Sequence, residues 1–246
     1  MNEQTEQSTS PLPSPEQKAT YVRAMFSRIA GRYDLMNRLM TLGRDGAWRR
    51  YTVARALAEP RGRVLDVATG TGDLAFEVHR QQPGARVVGL DFTPEMLAYA
   101  REKGAGQDAV PGWVAADALK LPFAGQSFDA VVTGFALRNV TDIPAAFAEM
   151  ARVTRAGGRV ACLEIAKPPP GLLRRLFEVY FYRIVPLIGT IVTGQRSAYT
   201  YLPHSLTAFL TPHEIAQVMA QTGWSEVSYR RMMLGTVAVH EGVRDG

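Results

Sequence analysis

Cysteine is almost missing. Cys162 is the single thiol in 246 residues, which excludes an internal disulfide framework and suits a reducing compartment. Long basic runs are missing too: Arg49-Arg50, Arg174-Arg175 and Arg230-Arg231 are isolated pairs within a net charge of +5. Nothing matches a nucleic-acid patch of about five to eight Lys and Arg, although weak attraction to an anionic membrane surface stays open. Met1–Ser14 lacks the apolar core of a signal peptide. No stretch reaches the roughly 18 uninterrupted apolar residues of a membrane span. A cytoplasmic protein is expected. His79, His204, His213 and His240 are scattered without metal-ligand spacing, so no metal is expected. No internal repeat is visible. With 46% hydrophobic and 21% charged residues, wholesale disorder is excluded, and the length suits one α/β domain with appendages.

Residues 1–18 are polar and rich in Ser, Gln and Pro, and read as a disordered tail before a single domain over 19–246. N-terminal helices are expected over about 19–58, where Val22, Met25, Phe26 and Ile29 recur at helical spacing. Short Val-rich runs follow at Arg63–Ala68, Arg86–Asp91, Trp113–Ala116, Phe128–Phe135 and Arg159–Ala166. Helical patterns at Gly72–Gln81, Pro94–Lys103 and Ile143–Arg152 alternate with them. That alternation predicts βαβ crossovers and a parallel sheet with helices on both faces.

Lys167-Pro-Pro-Pro-Gly171 breaks the rhythm and opens an insertion over about 168–208. Within it Leu172–Val192 is apolar nearly all round, with Arg174, Arg175 and Arg183 inserted. Such a helix suits a lid for an apolar tail or a membrane interface, while Arg183 and Pro186 argue against a span. Core packing is the plainer reading for about half of its apolar residues. Thr211 reads as the N-cap of a helix to Thr222, and Ser225–Met233 with Thr236–Glu241 reads as a hairpin around Gly235.

The chemistry concentrates at Val64-Leu-Asp-Val-Ala-Thr-Gly-Thr-Gly72. A strand running into Gly70-Thr71-Gly72 and then a helix lets a ligand approach bare backbone. With Ala75 it also fits the dinucleotide fingerprint, so a nicotinamide-dependent reductase is a rival reading. Three acids tilt the choice. Asp66 lies within the strand, beside a loop that would otherwise cradle pyrophosphate, and suits a cationic ligand. Asp91 ends the second strand, where a carboxylate accepts both ribose hydroxyls. Asp117 and Ala118 end the third strand at the height of an adenine. Ribose, adenine and a positive centre without phosphate describe S-adenosylmethionine. The alternative for any one of them is a mere strand-end or turn acid, and the ordered set speaks against it.

V-L-D-V-A-T-G-T-G, with G-L-D at 89–91, A-D-A-L-K-L-P-F at 116–123, S-F-D at 127–129 and R-V-T-R-A-G-G at 152–158, resembles a class I methyltransferase. The resemblance implies a Rossmann-like, seven-stranded, mostly parallel sheet with an antiparallel last strand. Tyr33-Asp34-x-Met36-Asn37, Gly134-Phe-Ala-Leu-Arg-Asn-Val140, Glu164-Ile-Ala-Lys-Pro168 and Tyr199-x-Tyr201-Leu202-x-x-Ser205 narrow it. Together they are similar to the UbiE/MenG family of quinone C-methyltransferases, over about residues 26–242. Thr41, Asp45, Arg155 and Ala166 stand where that family often has Ser, His, Lys and Ser. No catalytic role is expected at 45 or 166.

The resemblance implies S-adenosylmethionine as cofactor, bound by Asp66, Gly70, Thr71, Gly72, Asp91, Asp117, Ala118 and Gly134. It implies a polyprenyl quinol as substrate, demethylmenaquinol first and a ubiquinone-pathway benzoquinol second. Oligomeric state is left open, a homodimer included. Aromatic carbon is a poor nucleophile until a neighbouring hydroxyl ionises, so the site must favour a phenolate. Arg138 and Asn139 are expected to do so, with Tyr201 against the ring. A guanidinium is too basic to take the proton itself. Otherwise Arg138 caps a helix or pairs with Asp142, and Tyr201 packs in the core. Two further rivals are a methyltransferase for another lipophilic acceptor and a non-catalytic subunit of a quinone-biosynthesis assembly.

Overall fold

In the computed structural model, residues 13–57, 62–107, 110–207 and 209–246 are described. Three helices come first: α1 (Pro15–Ile29), α2 (Tyr33–Thr41) and α3 (Asp45–Ala56). The expected tail therefore ends earlier than residue 18. Pro15 occupies the first turn of α1, where its missing N–H costs nothing, and Lys18 Nζ donates to the Val140 carbonyl at 2.7 Å. Positions 1–12 of that expectation lie outside the described residues.

An alternating core follows: β1 (Arg63–Val67), α4 (Asp73–Gln81), β2 (Arg86–Asp91), α5 (Pro94–Gly104), β3 (Gly112–Ala115), β4 (Phe128–Gly134), α6 (Ile143–Val153) and β5 (Thr154–Ile165). Beyond the proline break come α7 (Leu172–Val179), a π turn (Tyr180–Ile184), α8 (Val185–Thr193) and α9 (Arg196–Thr207). The chain closes with α10 (Pro212–Gln221), β6 (Trp224–Met232) and β7 (Val237–Arg244). Thr211 caps α10 in a full capping box with Glu214.

The seven strands form one sheet in the order β3-β2-β1-β4-β5-β7-β6. All neighbouring pairs are parallel except those of β7, which runs antiparallel to both β5 and β6. The expected fold class is the observed one. Both faces are covered because successive residues alternate sides. Leu65, Val131 and Val160 pack with Phe147 and Met150 of α6. Val64, Ala130 and Ala161 pack with Val53 of α3 and Val78 of α4. Cys162 is fully buried and burial pushes its thiol well up, which makes it an inert apolar residue.

Winding starts at β1, moves outward through β2 to β3, then returns to β4 on the other side of β1. A crevice opens where the order reverses, at the carboxyl ends of β1 and β4. The Gly70 loop and Gly134 both sit there. Gly72 has φ +85°, and a Cβ on it would lie 2.6 Å from the Trp113 ring, so no other residue fits that turn.

Leu172–Thr193 is one continuous rod of 22 residues. By length and composition it is long and apolar enough to cross a membrane, with 17% of its most apolar window buried. Pro186 does not break it. Proline has no N–H and crowds the carbonyl one turn back, and the π turn just before it widens the backbone so the helix resumes.

Candidate active site

Two cavities meet at the crevice. The first is bounded by Ala68, Gly70, Asp91, Asp117, Ala118 and Gly134, with Phe92 and Met96 as apolar walls. Five of the eight residues expected to hold the cofactor line it. Asp91 closes the loop: its Oδ2 accepts the Gly70 N–H at 2.9 Å and its Oδ1 accepts the Thr93 N–H at 2.8 Å. Burial raises its carboxyl above the usual range, and those N–H groups oppose the rise. Asp117 corrects a detail of the sequence reading. β3 ends at Ala115, and Asp117 stands two residues later in a turn, its Oδ1 accepting the Leu119 N–H. It is exposed and lines the cavity.

Asp66, Thr71 and Gly72 are placed behind that wall instead of on it. Asp66 is fully buried, with Oδ2 accepting from Thr69 Oγ1 at 2.5 Å and from the Ala75 N–H at 3.0 Å. Oδ1 has no partner. An unpaired buried carboxylate oxygen beneath a glycine loop fits a cationic, phosphate-free ligand and would repel pyrophosphate. Burial pushes the Asp66 pKa up to about 7.

The sign of the pH effect follows. A carboxyl raised on folding stabilises the fold fully below its unfolded pKa near 3.8 and loses that contribution as pH climbs through about 7. Asp66 should therefore contribute a falling slope of melting temperature against pH between about 5 and about 7, opposed below about 6.5 by His240, which burial pushes down to about 4. Asp66→Asn should flatten that slope, and melting curves in which the slope is unaltered would reject the assignment. A cationic ligand reverses the preference, so its affinity should increase over the same interval.

Thr71 points the other way, into the helical cap. Its hydroxyl donates to Asp34 Oδ1 at 2.6 Å, and Asp34 Oδ2 accepts from Lys103 Nζ at 2.7 Å. Lys103 also bonds Asp73, Asp73 holds Arg49 at 3.0 Å, and Arg49 pairs with Asp45. Burial works against the Asp73 charge, yet Arg49 and Lys103 outweigh it and hold its carboxyl below the usual range. This chain of charges ties α2, α3 and α5 to the glycine loop. Asp45 thus serves as an anchor for Arg49, with Thr41 Oγ1 donating to it at 3.0 Å.

The second cavity, of about 360 Å³, is larger and far more apolar. Phe177, Tyr180 and Phe181 of the rod, Met25 of α1, Met40 of α2 and Ile165 of β5 are among its walls. Phe177 and Phe181 stack at 5.1 Å, and Tyr180 donates its hydroxyl to the Met40 carbonyl at 2.9 Å. Arg138, Asn139 and Tyr201 are among its polar lining residues, and Asn139 also lines the first cavity. The structure brings together all three residues expected there. Tyr201 donates to Asn139 Oδ1 at 3.4 Å, and Asn139 Nδ2 donates to the Phe135 carbonyl.

Arg138 is 8% exposed and does not pair with Asp142, which instead N-caps α6 by accepting the Ala145 N–H. Its carboxylate neighbour is Glu164, with Nη1 to Oε2 at 3.5 Å.

Phe26, Tyr33, Phe135 and Asn139 line both cavities. A methyl donor in one and an acceptor in the other would meet between these four. Sequence reasoning had not assigned Tyr33 to the site. Its place beside Asp34 in the upstream motif was the available signal.

The model of the ubiE/COQ5 methyltransferase family matches residues 14–244. A demethylmenaquinone methyltransferase of Roseiflexus castenholzii is 54% identical over 238 residues, covering 97% of this chain and 99% of the relative. The ubiquinone/menaquinone biosynthesis C-methyltransferase UbiE of Desulfotalea psychrophila is 43% identical, covering 92% of each chain. Among solved structures, an S-adenosylmethionine-dependent methyltransferase of Thermotoga maritima superposes with a TM-score of 0.63 at 17% identity. It covers 90% of this chain and 99% of that one, a likeness of fold alone. The near-complete matches in sequence, joined to the paired cavities, show that this chain belongs to the ubiE/COQ5 methyltransferase family.

Proposed function

We propose that this chain transfers a methyl group to the ring carbon of demethylmenaquinol. The observation that carries the reading is the joining of a cofactor cavity to an apolar cavity through Phe26, Tyr33, Phe135 and Asn139, with Arg138 beside the junction. The menaquinone precursor is preferred to the ubiquinone one because the relative named for it is 54% identical over nearly the whole chain.

S-adenosylmethionine is the cofactor and supplies a methyl group already activated on a sulfonium. The chain's own task is to prepare the acceptor. Arg138 stabilises the oxygen that becomes anionic as the quinol hydroxyl loses its proton. Asn139 bonds the same oxygen or orients the water that receives the proton. Tyr33 and Phe135, which line both cavities, would hold the ring at the junction, where a near-attack arrangement needs about 3–3.5 Å between reacting atoms. The apolar walls exclude bulk water, which strengthens the charge interaction.

The walls of the second cavity suit a prenyl tail, each buried CH₂ being worth about 0.8 kcal/mol. Phe177→Ser should raise the KM of a long-tailed quinol by about tenfold and leave that of a tailless quinol nearly unchanged. Equal effects on both would return the rod to a packing role. The direct test supplies labelled S-adenosylmethionine with reduced demethylmenaquinone and, in parallel, a benzoquinol precursor. Label must enter the first in preference to the second.

A lipid-borne substrate calls for a surface from which to collect it. Leu42, Leu176 and Leu234 rim the apolar cavity at 78%, 58% and 71% exposure. Leu42 and Leu234 are both held at positive φ, a conformation that disfavours leucine. Leu172, Val179, Leu187 and Ile191 extend the apolar surface along the rod, with exposed Arg175 and Arg183 among them. Such a face suits shallow, peripheral contact with anionic lipid by a cytoplasmic protein. Leu42→Asp with Leu234→Asp should lower the fraction sedimenting with anionic vesicles while the rate on a tailless quinol holds. Undiminished sedimentation would exclude the rim as the contact.

A further inference from the structure

Glu164 lies in β5 between Leu163 and Ile165, 1% exposed by side chain. Oε1 accepts the Leu137 N–H at 2.7 Å, which fixes the first residue of the turn bearing Arg138 and Asn139. Oε2 has no hydrogen-bond partner and stands 3.5 Å from Arg138 Nη1. Nη1 and Nε of Arg138 are buried and unpartnered as well. A buried ion pair is often no more stabilising than apolar residues of equal volume, but removing one partner is costly because a charge is left uncompensated. A buried pair whose arginine lines an apolar cavity therefore asks for a reason beyond stability.

We infer that Glu164 is the positioning residue of the acceptor site. One oxygen staples the turn, and the other holds the guanidinium at the cavity wall by charge alone, without consuming its N–H groups. Arg138 thus spends no N–H group on Glu164 and keeps its charge for the quinol oxygen. Burial raises the Glu164 carboxyl above the usual range and Arg138 opposes that rise, as expected of a pair that depends on each other's charge. The inference rests on the reading of Arg138 given above.

Glu164→Gln separates the two jobs, since it keeps an acceptor for Leu137 and removes the charge opposite Arg138. Misplacing a reacting group by about 1 Å costs on the order of 10²-fold. E164Q should therefore lower kcat by about that factor, with cofactor Kd changed less than about twofold. In an Arg138→Ala chain the same substitution should alter the residual rate less than about twofold, because its partner is gone. It should also raise the melting temperature of that chain by removing an unpaired buried carboxylate.

A fully active E164Q, or an equal loss in both backgrounds, overturns the inference. So does a fall in melting temperature on adding E164Q to R138A. Should E164Q alone fail to fold, the double variant decides: recovery of folding supports the pairing and continued failure overturns it. A slow R138A beside a fast E164Q defeats this inference only, whereas an R138A chain with full turnover defeats the underlying reading of Arg138.

Discussion

Arg138→Ala should lower kcat on demethylmenaquinol about 10²–10³-fold, the usual cost of losing one donor to a developing oxyanion. S-adenosylmethionine affinity should barely move, because Arg138 lines the apolar cavity and none of the cofactor cavity. Arg138→Lys should recover only part of the rate. Lysine restores the charge but lacks the planar fork, and its ammonium is more strongly hydrated. Rapid-mixing of enzyme and cofactor with quinol reads chemistry apart from binding. A full rate in a folded R138A chain would leave the residue with its structural pairing to Glu164 and nothing more.

Asp91→Ala is expected to act on the other side of the junction. Its carboxylate already accepts N–H groups of Gly70 and Thr93. An ionised carboxylate has about four lone-pair sites, so capacity remains to accept from a ribose. Removing it loosens the glycine loop and deletes the ribose acceptor together. At roughly 1.5–3 kcal/mol for each hydrogen bond to a charged group, affinity should fall at least about tenfold. Calorimetry with S-adenosylmethionine measures this directly. Equal affinity in the variant, or binding of NADH by the parent chain, would remove Asp91 from the cofactor site.

Strands were legible to within a few residues, apart from the early start of β5, because parallel strands buried on both faces are near-continuous Val-rich runs. The proline break, the Thr211 cap and the terminal hairpin were legible for equally local reasons. What escaped the sequence reading depends on neighbours across the sheet. Local sequence offers Arg138 a partner in Asp142, four residues on, but β4 and β5 lie side by side with Gly134 opposite Leu163. That register sets Glu164 next to the turn. Asp66 was expected beside the ligand and lies under the loop, since a strand residue points to one face or the other by parity. The charged chain from Asp45 through Arg49, Asp73 and Lys103 to Asp34 links four elements. No local pattern encodes it.

The placement of β7 bears on how the enzyme comes into being. The cofactor cavity draws its walls from α1, α2 and the ends of β1, β2, β3 and β4 with the loops that follow them, all of which precede residue 142. The apolar cavity needs Met25 and Trp48 from the start of the chain and Thr236 and Val237 from its end. During synthesis every residue lining the cofactor cavity emerges before the last residues lining the apolar one. The edge of β5 meanwhile waits for a strand that emerges last and inserts between two earlier ones. Until then that edge is open to pairing with any other chain. The last strand to be made is thus the one that covers the β5 edge and, through Val237, completes the apolar cavity.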